Sequence, residues 1–205
     1  MSQRESDDLT KALLHSHLQE LRESLLWKLE ALPEAELRRP MTLTGTNLLG
    51  LVKHLAADEF GHFQTAFGRP VPDLPQLRAD ADPALDFYAT EDETAQQLVD
   101  LYRDAAAASD ATISELPLDA PARVPWWPQP ETTLRQVLVH HIVEVARHVG
   151  HADIVRELVD GQAGLHPARP MLPSQDKAFW EDHVEQVRTL AMRSQVGALD
   201  PDPGR

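Results

Sequence analysis

The sequence has no cysteine among its 205 residues. Disulfide bonds, thiolate metal ligands and a cysteine nucleophile are therefore excluded. Basic residues are also scarce, since 19 Lys and Arg stand against 33 Asp and Glu, which gives a net charge of −14. Nucleic acids and anionic membranes are bound by clustered Lys and Arg, so we expect neither as a partner. Any metal site in this chain must use histidines and carboxylates.

Long apolar runs are missing as well. The N-terminal segment MSQRESDDLTKALLHSH is charged and has neither the core of a signal peptide nor the length of a membrane anchor. With 42% hydrophobic and 25% charged residues, the composition is typical of a globular domain. We therefore predict a cytoplasmic protein with one domain over residues 1–195 and a disordered tail over 196–205.

No segment alternates apolar and polar residues over a useful length, so no strand is predicted. Apolar residues instead recur at helical spacing in five segments, which lie at about 6–32, 47–67, 91–116, 134–160 and 175–193. Four long helices with an additional C-terminal helix and long connections predict an all-α protein, a four-helix bundle.

Several residues are candidates for helix caps. Asn47 or Thr46 suits the start of the second helix, and Ser174 suits the start of the fifth. Thr133 and Gln136 have the spacing of a capping box, in which each side chain bonds to the main-chain N–H of the other residue. We therefore expect the fourth helix to begin just after Thr133.

The fourth helix carries the stretch HHIVEVARHVGHADIVRELVDG, which begins at His140. Glu144 and His148 are four residues apart, so their Cβ atoms should lie about 5–6 Å apart on one face. That face coincides with the apolar stripe, which directs both side chains towards the core. A buried carboxylate is costly unless it is paired, and a shared metal ion would satisfy both groups.

The second helix offers a third ligand, His54. Small residues, among them Gly50 and Gly61, share its face and leave space for a pocket or a close helix contact. With Glu144 and His148, His54 would form a His₂Glu set, which in catalytic zinc sites leaves one position open. The alternative is that Glu144 pairs with Arg147 or Arg135 at the surface and His54 fills a gap in the core.

Other polar and aromatic residues have less definite roles. His141 could support a ligand or lie in the core, His140 is expected in solvent, and His62 is expected to be structural or exposed. In the segment VPWWPQP, Trp126 and Trp127 could line the mouth of a ligand pocket or plug the end of the bundle.

The segments GLVKHLAADEFGHF and HHIVEVARHVGHADIVRELVDG resemble the DinB-like superfamily of metal-binding four-helix bundles. Its fourth-helix signature is a ligand, three residues, a histidine, then any residue, Gly and often Gln. Glu144, His148, Gly150 and His151 occupy these places, and His151 replaces the common Gln. Glu144 replaces the common first histidine, which is similar to mycothiol-dependent maleylpyruvate isomerase.

The resemblance extends from about residue 10 to 190. The segments RESLLWKLEALPEAELRRPMTLTGTNLLGLVKHLA and RVPWWP are similar to the mini-circle-protein branch of that superfamily. It implies a divalent metal held by His54, Glu144 and His148, with zinc favoured over nickel, iron or manganese. It also implies a low-molecular-weight thiol such as mycothiol, a small-molecule substrate and the ability to form a homodimer.

A bound metal lowers the pKa of a thiol, so we predict a metal-dependent thiol S-transferase or isomerase. Asp58, His151 and Arg147 are candidates to position or activate the reactants. One alternative is a metal-dependent hydrolase with Asp58 or His151 as the base. The others are a non-catalytic stress protein that binds a metal or small ligand, and a bundle without a metal.

Overall fold

The computed structural model of this protein describes residues 2–78 and 80–197. Its helices form where leucines recur at helical spacing. The six α-helices of these residues are α1 (Gln3–Trp27), α2 (Glu34–Arg38), α3 (Leu48–Phe63), α4 (Ala95–Glu115), α5 (Leu134–Asp160) and α6 (Lys177–Gly197). Single 3-10 turns lie at Thr65–Phe67, Pro75–Leu77 and Leu85–Phe87.

Helices α1, α3, α4 and α5 form the bundle. Helix α3 packs on α4 and α5, while α1 packs on α5 and α4. Fully buried leucines and valines fill the space between them, including Leu25, Leu55, Leu98 and Val145. Burial of such side chains drives the association of the helices. The all-α bundle with an additional C-terminal helix is confirmed.

The predicted tail lies mostly outside the described residues, which end at residue 197. Helix α6 reaches Gly197, two residues beyond the predicted domain end. The single domain over residues 1–195 stays a prediction. Among the described residues, no helix is both long and apolar enough to cross a membrane.

The predicted cap of α3 is present, because the Asn47 side chain accepts a hydrogen bond of 2.7 Å from the main-chain N–H of Gly50. The capping box at Thr133 was a wrong prediction. Thr133 precedes α5, but its side chain makes no capping bond within the described chain. The Thr132 hydroxyl instead donates a hydrogen bond of 2.7 Å to the side-chain oxygen of Gln136. This oxygen is the acceptor that the capping box required.

The predicted cap of the last helix was also wrong. Ser174 lies three residues before Lys177, where α6 begins. Asp176 is the adjacent residue, and its carboxylate accepts a hydrogen bond of 3.0 Å from the main-chain N–H of Ala178. Ser174 accepts from the N–H of Asp176 and so shapes the turn before the helix.

Two short strands precede α5, and the prediction of a strand-free chain was wrong. Strand β1 (Pro121–Arg123) pairs antiparallel with β2 (Glu131–Thr133). Three residues are too few to show an alternating pattern in a sequence. The hairpin closes the loop that carries Trp126 and Trp127 beside the N-terminus of α5.

Gly50 allows the 3-10 turn Leu85–Phe87 to lie directly against α3. A Cβ at this position would stand 1.9 Å from the main-chain oxygen of Phe87. The same oxygen accepts a hydrogen bond of 3.1 Å from the Asn47 side chain. The predicted role of small residues as points of close approach therefore applies to Gly50.

Candidate metal site

His54 on α3 meets Glu144 and His148 on α5, and these three residues are called the outer cluster. One ligand atom from each lies within 4.8 Å of the other two. The His148 Nε2 atom is 2.9 Å from Glu144 Oε1, and the His54 Nε2 atom is 3.9 Å from the same oxygen. The predicted face of α5 therefore points at α3, and its two polar residues meet His54 there.

Asp86 holds the other side of the His54 ring. Its Oδ2 atom is 2.7 Å from His54 Nδ1, while Phe87 stacks on the imidazole with ring centroids 4.5 Å apart. A carboxylate that fixes the second nitrogen of an imidazole is the usual support of a metal-ligating histidine. Asp86 was missed from the sequence because it lies in a Pro- and Asp-rich connection that has no helical period.

The two histidines of the outer cluster differ in their proton affinity. Burial alone would lower the pKa of His54, but the hydrogen bond with Asp86 and its charge outweigh burial and raise this pKa. The pKa of His148 is lowered by burial and by the neighbouring His54, although Glu144 opposes the change. The lowered pKa favours the neutral form of His148, which is the form that a metal requires.

The residues of the outer cluster fit a divalent transition metal. Two imidazole Nε2 atoms face one carboxylate oxygen, which gives the N/O donor set that zinc and related ions accept. The Nδ1 atom of His148, on the side of the ring away from Glu144, is buried and has no hydrogen-bond partner within the described residues, so it adds no support for the metal itself. Buried polar atoms without partners are rare and call for a ligand or a water.

The alternative pairing of Glu144 with arginines is not what the structure has. Arg135 contacts Asp7 at 2.7 Å. Arg147 is exposed, and Glu144 bonds to His148 instead.

Two cavities flank the outer cluster. The first, of about 430 Å³, is lined by His54, Asp58, Asp86 and Trp126, among others. The second, of about 310 Å³, is lined by His148, His151, Asn47 and Phe87, among others. Because Asp86 borders one cavity and Phe87 the other, the 3-10 turn at Leu85–Phe87 lies between them. A small molecule can therefore approach the cluster from two sides.

The other predicted site residues differ in whether they border one of the two cavities. His151 is exposed, borders the second cavity and has its ring 5.4 Å from that of His148. Trp126 borders the first cavity and is 52% exposed. Trp127 is partly buried against the core, beside His140, and does not belong to the described lining of either cavity. Exposed Arg147 is likewise outside the lining described for both cavities.

Asp58, His62 and His141 form a second group, which we call the inner cluster. One ligand atom from each again lies within 4.8 Å of the others. The Asp58 carboxylate is 3.1 Å from His62 Nδ1 and 3.2 Å from His141 Nδ1. His141 lies in the core, one of its two predicted positions. His62 is 2% exposed, so it is structural rather than exposed.

Glu59 and Arg22 complete the buried surroundings of His141. The Glu59 carboxylate is 3.4 Å from His141 Nε2 and accepts two hydrogen bonds, of 2.7 and 2.6 Å, from the guanidinium of Arg22. Burial alone would raise the pKa of Glu59, but His141 and Arg22 lower it to about 2. Burial would lower the pKa of His141, yet the carboxylates of Asp58 and Glu59 raise it to about 9.

Asp58 is held in its charged form by the same cluster. Burial favours the neutral acid, but contact with His141 and then with His62 keeps the pKa of Asp58 far below its usual range. A carboxyl that is this acidic is a poor proton acceptor at neutral pH. Its charge can attract a cation or orient a polar group in the first cavity.

The helical bundle and its outer cluster define the class to which the protein belongs, the DinB-like bundles with a candidate His/Glu/His metal site. The family model for mycothiol S-transferase matches residues 13–161, and the chain therefore belongs to this family. Among curated proteins, none matches the chain.

The fold occurs among solved structures. The crystal structure of a conserved protein from Enterococcus faecalis superposes with a TM-score of 0.53 and 19% sequence identity. The match covers 74% of this chain and 97% of that chain. At this identity the likeness concerns the fold alone.

Proposed function

We propose that this protein is a metal-dependent S-transferase that joins a low-molecular-weight thiol such as mycothiol to a small electrophile. The observation that carries the proposal is the convergence of His54, Glu144 and His148 beside two open cavities in a chain of the mycothiol S-transferase family. Because the chain has no cysteine, the reactive sulfur must come from the bound thiol.

His54, Glu144 and His148 would hold the metal, for which zinc is our first choice and nickel, iron or manganese are alternatives. A bound zinc ion lowers the pKa of a thiol towards neutrality and so supplies a thiolate at physiological pH. Asp86 would fix the His54 ring during the reaction, and Phe87 would shield one face of the ring from water.

The cavities suggest where the two reactants bind. Trp126 offers an apolar wall in the first cavity for the electrophile, and Trp127 would hold the loop in place. Asp58, which also borders this cavity, would orient a polar group of the reactant. His151 would contact the thiol in the second cavity. Exposed Arg147 could act only on a thiol long enough to reach the surface.

The location and assembly of the protein remain predictions. We expect a cytoplasmic enzyme, since the thiols in question are intracellular reductants. We also expect a homodimer, because α6 exposes several apolar side chains along its length, namely Phe179, Val184, Val187, Leu190 and Met192.

The proposal is tested with zinc-loaded protein, mycothiol and a fluorogenic haloalkane, by following thiol consumption and metal content together. His54→Ala, Glu144→Ala and His148→Ala should each lose the metal ion of the outer cluster and lower kcat/KM by at least about 100-fold. His17→Ala is the control, because this exposed histidine lies on α1, and it should keep both properties. Metal retention without turnover would contradict the proposed transferase activity, and turnover without any thiol would indicate a hydrolase.

A further inference from the structure

The inner cluster repeats the design of the outer cluster one helical turn deeper. On α3, His54, Asp58 and His62 are spaced by four residues. On α5, His148, Glu144 and His141 follow in the opposite direction at spacings of four and three. Four helical residues span about 6 Å along the axis, so the same two helices present two adjacent sets of ligands.

The atoms of the inner cluster are unusually short of hydrogen bonds. Within the described residues, four buried atoms make no well-formed hydrogen bond: His62 Nε2, both ring nitrogens of His141, and Asp58 Oδ2. The His141 nitrogens lie near carboxylate oxygens, at 3.2 Å from Asp58 and 3.4 Å from Glu59, and His62 Nε2 has no such neighbour among the described residues. Native proteins leave few buried polar atoms unpaired, because each one costs roughly 1–3 kcal/mol. Their concentration on three adjacent side chains points to a ligand that they share.

The supports around these side chains are those of metal-binding histidines. The Nδ1 atom of His62 faces the main-chain oxygen of Asp58 at 3.0 Å. The Nε2 atom of His141 faces the Glu59 carboxylate, which Arg22 holds in place. A backbone carbonyl or a carboxylate behind the imidazole is the common outer partner of a metal ligand.

The charges around the inner cluster leave room for a divalent cation. Arg22 bonds to the carboxylates of Glu59 and Asp110, the latter at 2.6 Å. Asp58 is the third carboxylate of this group. When His141 gives up its proton to a metal, the largely buried carboxylates of Asp58 and Glu59 and the half-buried carboxylate of Asp110 face one guanidinium, and a dication would balance the remaining charge. Uncompensated charge is costly in the interior.

We propose that Asp58, His62 and His141 form a second binding site for a divalent transition metal such as zinc, separate from the outer cluster. Two imidazole nitrogens and one carboxylate are a known ligand set for zinc. The ion can enter through the first cavity, since Asp58 borders this cavity together with His54. The inference does not depend on the proposed transferase activity.

The test is the zinc content of the full chain, stripped with a chelator, reloaded with Zn²⁺ alone and dialysed before elemental mass spectrometry. The wild type should hold two zinc ions per chain, and His62→Gln and His141→Gln should each hold one. His148→Ala should also hold one, because it removes only the outer ion. His140→Gln is the matched control, since this exposed neighbour contacts the His62 ring, and it should keep two.

A second measurement guards against misfolded variants. Crystals of the wild type soaked in Zn²⁺ should show two anomalous peaks, one in each cluster. A single peak in the outer cluster, with one zinc per chain that His141→Gln retains, would overturn the inference and leave the proposed function intact. A single peak in the inner cluster would support the inference and contradict the proposed function. The absence of any anomalous peak would contradict both the inference and the proposed function.

Discussion

At the scale of single residues, Asp86 is the side chain that fixes the candidate metal ligand His54. Replacement by Asn keeps the shape but removes the negative charge that faces His54 Nδ1 at 2.7 Å. We expect Asp86→Asn to weaken zinc binding at the outer cluster by about 10–100-fold, as is usual for the outer partners of ligating histidines. Competition with a chromophoric chelator measures this affinity.

Asp80→Asn is the control for that experiment, because Asp80 is exposed on the same connection. It should leave the zinc affinity unchanged. An Asp86→Asn protein with wild-type affinity would mean that the ring of His54 is held by packing against Phe87 alone.

His141 makes the stability of the metal-free protein depend on pH. Its pKa rises from an ordinary value of about 6.5 to about 9 in the folded state, because two carboxylates face the buried ring. A raised pKa gives stability that is complete below pH 6.5 and is lost as pH rises through 9. We expect the free energy of unfolding to fall by up to about 3 kcal/mol over this interval.

Urea denaturation in chelator at a series of pH values measures this change. The His141→Gln variant should be less stable at pH 6.5 and should lack the decline between pH 6.5 and 9. A wild type whose stability is constant over that interval would show that the buried imidazole is neutral in the metal-free protein.

At the scale of elements, the 3-10 turn at Leu85–Phe87 depends on Gly50 of α3. In Gly50→Ala the new Cβ would overlap the Phe87 main-chain oxygen, which lies 1.9 Å away, and the turn with Asp86 would have to move. We expect a loss of about 1–3 kcal/mol in stability and weaker zinc binding, since overpacking against backbone cannot relax cheaply. Thermal unfolding and the chelator competition record the two effects.

Gly150→Ala supplies the comparison within the same bundle. A Cβ at Gly150 on α5 would meet nothing within 4 Å among the described atoms. This variant should gain roughly 0.5–1 kcal/mol, because alanine favours a helix interior. Equal effects of the two substitutions would contradict the close contact at Gly50.

The helices were predictable where one face is apolar over many turns. The bounds of α5 and the start of α3 were also predicted, but the side-chain contacts at the starts of α5 and α6 were not. The stripe of α5 correctly placed His148 and buried Val145 inwards. The cap at Asn47 followed from local chemistry alone. Thr133 failed because its neighbour Thr132 competes for Gln136, a choice that depends on the fold of the preceding hairpin.

The convergence of the outer cluster was predictable in part, because Glu144 and His148 lie on one helix at a spacing that fixes their distance. Asp86 was not, since it comes from a connection whose path is set by contact with Gly50. His62 was expected to be structural or exposed. Its place in the inner cluster was not predicted, because no pattern within α3 shows that His141 faces it across the bundle.

At the scale of the whole molecule, two buried guanidinium groups join α1 to the other bundle helices. Arg22 on α1 bonds to Glu59 of α3 and Asp110 of α4. Arg156 on α5 donates to the main-chain oxygens of Lys28 and Glu30, at 2.9 and 2.8 Å, just beyond the end of α1. Since all these residues lie within the family match at 13–161, the bundle is complete before α6 begins.

Helix α6 should therefore be dispensable for folding. Within the described chain, no hydrophobic residue after Val159 belongs to the core or packs against it, and the side chains of residues 177–193 of α6 are almost all exposed. A chain truncated after Pro173 should keep its free energy of unfolding within about 1 kcal/mol, because little apolar area is lost. Urea denaturation monitored by circular dichroism measures the difference.

A longer truncation, after Gly161, tests whether the preceding connection contributes. Ser24 on α1 donates to the main-chain oxygen of Leu165 at 2.8 Å, and Arg169 pairs with Glu20 at 2.7 Å. Loss of the first contact removes a hydrogen bond of the Ser24 hydroxyl, while the second is exposed and worth little, so we expect a further decrease of about 1 kcal/mol. If truncation after Pro173 already costs more than about 2 kcal/mol, α6 must cover apolar surface of the bundle, and the fold would then depend on all five long helices.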